Sequence, residues 1–179
     1  TTYEMLTEQE AEAGPFMTMP EGTKWGRMWE YGWFRTDMVA DESVSGEMLV
    51  MDIRTGGEAT LFVNGQEFGT QRAEWVKEPH HYICDQILTR KAMPGEKFHI
   101  LLEAYGGQDE NAPRQCIGQS TWGIWHEEAY QLWLDVCMLR DLLEVTDETS
   151  LWAAKIEEAL EHFTLIVDFE QPRADRLRS

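Results

Sequence analysis

Three observations predict a mainly β chain, an antiparallel β-sandwich followed by a C-terminal α-helical hairpin. The first is Asn64-Gly65, which breaks two alternating apolar–polar runs. An Asn-Gly pair supplies the positive φ that a type I′ hairpin turn needs at both central positions. The second is a series of short candidate strands, separated by turn signals, from Trp25 to about Trp125. Many short strands with regular turns describe a sandwich or barrel. The third is a change of apolar period after His126, from two to about 3.6 residues, which is the mark of amphipathic helices.

Residues 1–24 read as a lead-in segment, punctuated by Gly14-Pro15 and Pro20-Glu21-Gly22 and weak in periodicity. The sandwich domain is expected over 25–125. The aromatic-rich run Trp29–Met38 is its first strand. Glu47–Arg54 follows, with Leu49, Met51 and Ile53 on one face, and then the Asn64-Gly65 hairpin. Tyr82–Leu88 is a weaker strand. After the turn at Pro94-Gly95, Lys97–Ala104 places Phe98, Ile100, Leu102 and Ala104 on one face and His99 on the polar one. Gly106-Gly107 opens a polar loop, and Gln115–Trp125 supplies the last strand. The helical hairpin is expected over 126–168, with a charged tail over 169–179. Its first helix carries Ala129, Leu132, Trp133, Val136, Leu139 and Leu143. Ser150 is placed to cap the second, whose stripe is Trp152, Ile156, Leu160, Phe163 and Val167. Trp133 and Trp152 leave apolar area for a further surface.

The net charge of −18 excludes several function classes. A surface this acidic repels phosphate backbones and anionic lipid, so neither nucleic acid nor membrane is an expected partner. No apolar run approaches the ~18 residues of a membrane span. Residues 1–12 lack a signal-peptide layout. Cys84, Cys116 and Cys137 are odd in number with no CxxC pairing. That argues against a disulfide framework or zinc ribbon and fits a reducing cytoplasm. A start at Thr1 rather than Met suggests a processed chain or a piece of something longer.

Catalytic patterns are absent from the sequence. His126-Glu127-Glu128 opens like HExxH but has no second His, and His80-His81 is a loop pair without a third ligand. There is no G-x-S-x-G elbow and no phosphate loop. Thirty-three acidic residues single out no carboxylate pair. The aromatics are more informative. Trp29, Trp33 and Trp122 are expected in the core, whereas Trp75, beside Arg72 and Glu74, is expected to be exposed for contact.

Four segments in order carry a resemblance: "WEYGWFRTDM" at 29–38, "GGEATLFVNGQEFGT" at 57–70, "MPGEKFHILLEAYGG" at 93–107 and "HEEAYQLWLDVCMLRDLLE" at 126–144. They resemble the N-terminal region of cytoplasmic-type α-mannosidases of glycoside hydrolase family 38. There a "W..YWFR" strand, a "GEA.LYVNG" hairpin, a "GE...L.IEAY" strand and a helical "REAY.L..D...L" segment precede the catalytic domain. The resemblance covers roughly residues 25–168. It implies a jelly-roll-like (galactose-binding-like) sandwich leading into a catalytic barrel that lies outside this chain. The family's zinc-and-nucleophile signature resembles "H.D.AW.W". No His here is followed by that pattern, so no catalytic or metal residue is carried over, and zinc is expected only in the absent catalytic domain.

What the resemblance implies is a non-catalytic domain supporting a zinc-dependent retaining α-mannosidase. The expected partners are its own downstream catalytic domain, α-mannoside glycans and a second copy of the chain. Related sandwich domains lean a loop toward the active-site rim, which makes Arg72, Trp75, His80 and His81 the expected contact residues. A free-standing carbohydrate-binding module and a protein-interaction module built on the helical hairpin are the alternatives.

Overall fold

The computed structural model describes residues 1–71 and 86–166. The chain divides into two compact units, Thr1–Trp125 and His126–Ser179. The first unit is an antiparallel β-sandwich. One sheet has the order β2-β7-β4-β5, built from β2 (Tyr31–Val39), β7 (Lys97–Tyr105), β4 (Ala59–Val63) and β5 (Gln66–Gln71). The second has the order β6-β3-β9, from β6 (Ile87–Thr89), β3 (Leu49–Asp52) and β9 (Thr121–Ile124). A short ribbon pairs β1 (Lys24–Trp25) with β8 (Gln115–Cys116). The expected last strand is therefore two, separated by Gly118 at a close approach to Arg54.

The core forms where the alternating residues of both sheets meet. Leu49 and Met51 of β3 join Ala59, Leu61 and Val63 of β4 and Phe98, Ile100, Leu102 and Ala104 of β7. Trp25 is the core tryptophan, 2% exposed. Its ring meets Phe34 edge-on at 4.9 Å and its Nε1 donates to the Thr55 carbonyl at 2.6 Å. That bond satisfies the one polar atom the indole brings inside. Trp29 and Trp122, expected in the core, are instead on the surface, and Trp33 lies on the opposite face of its sheet. The alternation of β2 decides this: Gly32 and Phe34 take the inward positions, so Trp33 must point outward.

The Asn64-Gly65 turn is a two-residue hairpin. Val63 pairs with Gln66, and both turn residues have positive φ, 51° and 71°. Asn64 does more than turn the chain. Its backbone N–H donates to the His99 carbonyl at 2.8 Å. Its side chain accepts from the His99 N–H at 2.8 Å and donates to the Lys97 carbonyl at 3.2 Å. The turn thus continues the ladder onto β7.

Residues 1–24 are better organised than their periodicity suggests. Thr2 bridges Tyr31, and α1 (Glu8–Glu12) starts at a capping box in which Thr7 and Glu10 satisfy each other's backbone N–H. In the second unit, α2 (Glu127–Val145) and α3 (Leu151–Ile166) pack on each other, and Ser150 caps α3 through the Ala153 N–H. Ala153 and Ile156 are the buried residues of α3, with Leu160 and Phe163 half-buried. The inward stripe therefore runs through Ala153 rather than Trp152, which is 71% exposed beneath Lys155. Val167 lies outside the described residues.

A β-carbon at position 32 would lie 2.7 Å from Trp25 Cζ3 and 2.8 Å from Phe34 Cε2. Gly32→Ala should force the Trp25–Phe34 pair apart and cost about 1–3 kcal/mol in urea unfolding. An unchanged midpoint would show that this packing is slack.

Candidate functional site

The outward face of the four-stranded sheet is set by register alone. Tyr31 lies opposite Tyr105, Trp33 opposite Glu103, Arg35 opposite Leu101 and Asp37 opposite His99. On the other side of β7, Thr60 lies opposite Glu103 and Phe62 opposite Leu101, while Thr70 of β5 lies opposite Thr60. Directly opposed residues share a face, so these side chains form transverse rows across the sheet.

The lead-in covers the rows at one end. Glu12 reaches both Arg35 Nη1 at 2.9 Å and His99 Nε2 at 3.1 Å, and the Arg35 guanidinium sits 4.1 Å over the Phe16 ring. Leu101 points outward from β7 yet is only 2% exposed, and Ala11 of α1 is 4% exposed. Covering this face satisfies a strand that is apolar on both sides.

His99 is held between two carboxylates, with Nδ1 2.6 Å from Asp37 and Nε2 3.1 Å from Glu12. Carboxylates only accept, so the protonated imidazolium is the form that satisfies both. Hydrogen bonds to Asp37 and then Glu12 raise the His99 pKa, outweighing burial. Burial works against ionisation of Glu12, but its bonds to His99 and Arg35 win and lower its pKa. Both ring nitrogens being taken, this trio is a clamp and not a ligand set. Among the described residues no group of three or more His, Cys, Asp or Glu is placed to hold a metal ion.

The rows at the other end stay open. A groove of about 390 Å³ is lined by Tyr31, Glu58, Ala59, Thr60, Thr70, Gln71, Glu103 and Tyr105. Burial raises the Glu103 pKa, and burial followed by the neighbouring Tyr31 raises that of Tyr105. The Tyr105 hydroxyl and Trp33 Nε1 are buried with no hydrogen-bond partner among the described residues. At the groove's end the Tyr31 and Tyr105 rings lie 5.6 Å apart, and the Trp29 ring lies 6.2 Å from Tyr105. Trp29 is 54% exposed and has φ +65°. A bulky side chain rarely adopts that conformation, and such outliers gather at functional sites. The Trp29 N–H donates to the Gly107 carbonyl at 2.8 Å, which helps hold the turn.

This arrangement offers carboxylate acceptors, hydroxyls and aromatic faces together, and among the described residues no Lys, Arg or His lines it. The expected contact residues Arg72, Trp75, His80 and His81 lie outside the described residues. The groove residues were missed, although one signal was present. With Phe98, Ile100, Leu102 and Ala104 assigned inward, the outward set of β7 reads His99, Leu101, Glu103 and Tyr105, which is too apolar for a plain solvated face. Comparisons with models of known protein families and with curated proteins find no match.

The clamp makes stability depend on pH in a definite sense. The Glu12 contribution is present above its ordinary pKa of 4.5 and is lost as pH falls through its lowered folded value. The His99 contribution is full below its ordinary 6.5 and is lost as pH rises through its raised folded value. Both are therefore complete between pH 4.5 and 6.5. Because the groups are more than a third exposed, His99→Gln should cost only up to about 1 kcal/mol within that window, and less on either side. Urea midpoints measured across pH check this; a pH-independent difference between wild type and variant would count against the clamp.

Proposed function

We propose that this chain is a non-catalytic β-sandwich domain of an α-mannosidase-like glycoside hydrolase, supporting a catalytic domain encoded downstream. The observation that carries the reading is where the four sequence landmarks fall. Three of them are β2, the β4–β5 hairpin and β7, which are hydrogen-bonded neighbours in one sheet, and the fourth is α2. Three segments far apart in the sequence thus share one sheet, as a common sandwich architecture would require. The chemistry of the parent enzyme, zinc-dependent retaining hydrolysis of α-mannosides, belongs in this reading to the downstream part.

The helical hairpin favours a second role within the same reading. Trp133, Met138, Leu142 and Trp152 are exposed on it. Exposed large apolar side chains on one small unit suit docking, either to the following domain or to another copy of the chain. No helix of the described residues is long and apolar enough to cross a membrane.

Sequencing the gene beyond the Ser179 codon should reveal a catalytic domain with a His/Asp zinc signature; an immediate stop codon would sink the parent assignment. The 179-residue chain alone should leave an aryl α-mannoside intact, with or without added zinc. Turnover by the purified chain would place the chemistry here instead.

A further inference from the structure

We propose that the open groove on the outer face of the four-stranded sheet is a binding site for a neutral saccharide, with Trp29, Tyr31 and Tyr105 at its aromatic end and the half-buried Glu103 as its hydrogen-bond acceptor. The inference deepens the glycosidase-domain reading, on which its choice of sugar probe rests. The site itself stands on geometry.

Each part of the groove asks for the same kind of ligand. The Tyr105 hydroxyl is buried with no partner among the described residues, and a buried donor without a partner is costly to the free protein. Glu103, beside it on β7, accepts from no side chain among the described residues. A sugar hydroxyl answers both, since it donates to a carboxylate while accepting from a phenol. Thr60 and Thr70 add further hydroxyls from the two neighbouring strands. The exposed face of Trp29 can stack on the apolar C–H face of a pyranose ring, and its strained backbone holds it near Tyr105.

Charge and shape narrow the class. With Glu58 and Glu103 in the lining and no basic side chain among the described residues, a sugar phosphate or sugar acid meets like charge there. A quaternary ammonium would suit the aromatic rings and the carboxylates. Its ammonium nitrogen has no lone pair for the Tyr105 hydroxyl, however, and, seated against the rings, would leave that group unpaired. The Tyr105 ring is tilted at 48° to Trp29 and 41° to Tyr31. The volume of about 390 Å³ falls within the range of small-ligand sites.

The test is calorimetric titration of the full chain with mannose, an α-linked mannobiose, mannose 6-phosphate and choline. The neutral sugars should bind, with mannose 6-phosphate at least about tenfold weaker. Glu103→Gln should weaken binding about tenfold through loss of a charge-assisted bond. Trp29→Ala should abolish stacking, and Trp29→Tyr should restore part of it. Tyr105→Phe gives a reading that a merely structural residue would not: the free chain should melt at a higher temperature while sugar affinity falls severalfold. Trp122→Phe, on the other sheet, should leave affinity unchanged. Absence of neutral-sugar binding, binding of choline in its place, or affinity indifferent to both Glu103→Gln and Tyr105→Phe overturns the groove assignment. None of these outcomes touches the gene-sequence test of the parent enzyme, and a stop codon after Ser179 would leave the groove result standing.

Discussion

A strand that pairs on both edges and is apolar on both faces has to be covered twice, and β7 imposes that requirement on the whole sandwich. Its inward residues Phe98, Ile100, Leu102 and Ala104 are closed over by the second sheet. Its outward Leu101 is equally buried, although it faces away from the second sheet. The lead-in is the structural answer. A capped turn of helix and Phe16 are drawn across that face, with Glu12 fixed at once to Arg35 and His99. The ion pairs are exposed and individually weak. Their effect is positional, since they fix which part of the face is covered and which part stays open.

The elements that rest on strong local chemistry were legible in the sequence. Asn64-Gly65 required a type I′ turn, the alternation in 97–104 required a strand, and Ser150 announced a helix start. What could not be read locally were choices settled by tertiary context. Trp33 looks like core material, but a glycine at position 32 lets Trp25 lie across the strand, so the inner face belongs to a tryptophan eight residues earlier than the expected one. The last strand split in two because the chain between its halves bends past Arg54. The stripe of α3 shifted by one residue, from Trp152 to Ala153, because close packing of two helices favours the smaller side chain at the contact. The groove was invisible for a related reason. Its residues come from four strands, and only the register between those strands places Glu103 beside Thr60 and Tyr31 beside Tyr105.

Several unfavourable features concentrate at one end of one face: a desolvated carboxyl, two buried donors without partners and a bulky residue at positive φ. Elsewhere in the sandwich the buried polar groups are matched, as with Trp25 and Thr55 or Asn64 and β7. Sequences that satisfy their polar groups almost everywhere and fail to do so in one place have usually kept that place for a ligand.

The separation of bonded partners also sets an order of assembly. The β4–β5 hairpin closes through a two-residue turn, and α2 and α3 are joined by a short loop, so both can form before distant parts of the chain have met. The β2–β7 ladder must bring together residues such as Asp37 and His99, 62 positions apart, and the Glu12–His99 bond spans 87. Loop-closure entropy delays such contacts. The clamp is therefore among the last bonds made. Held by few and exposed bonds, the lead-in can be released without unfolding the sheet beneath it. Its release would bare Leu101 and lengthen the open face, giving the native sandwich a second, more extended surface within reach of ordinary thermal opening.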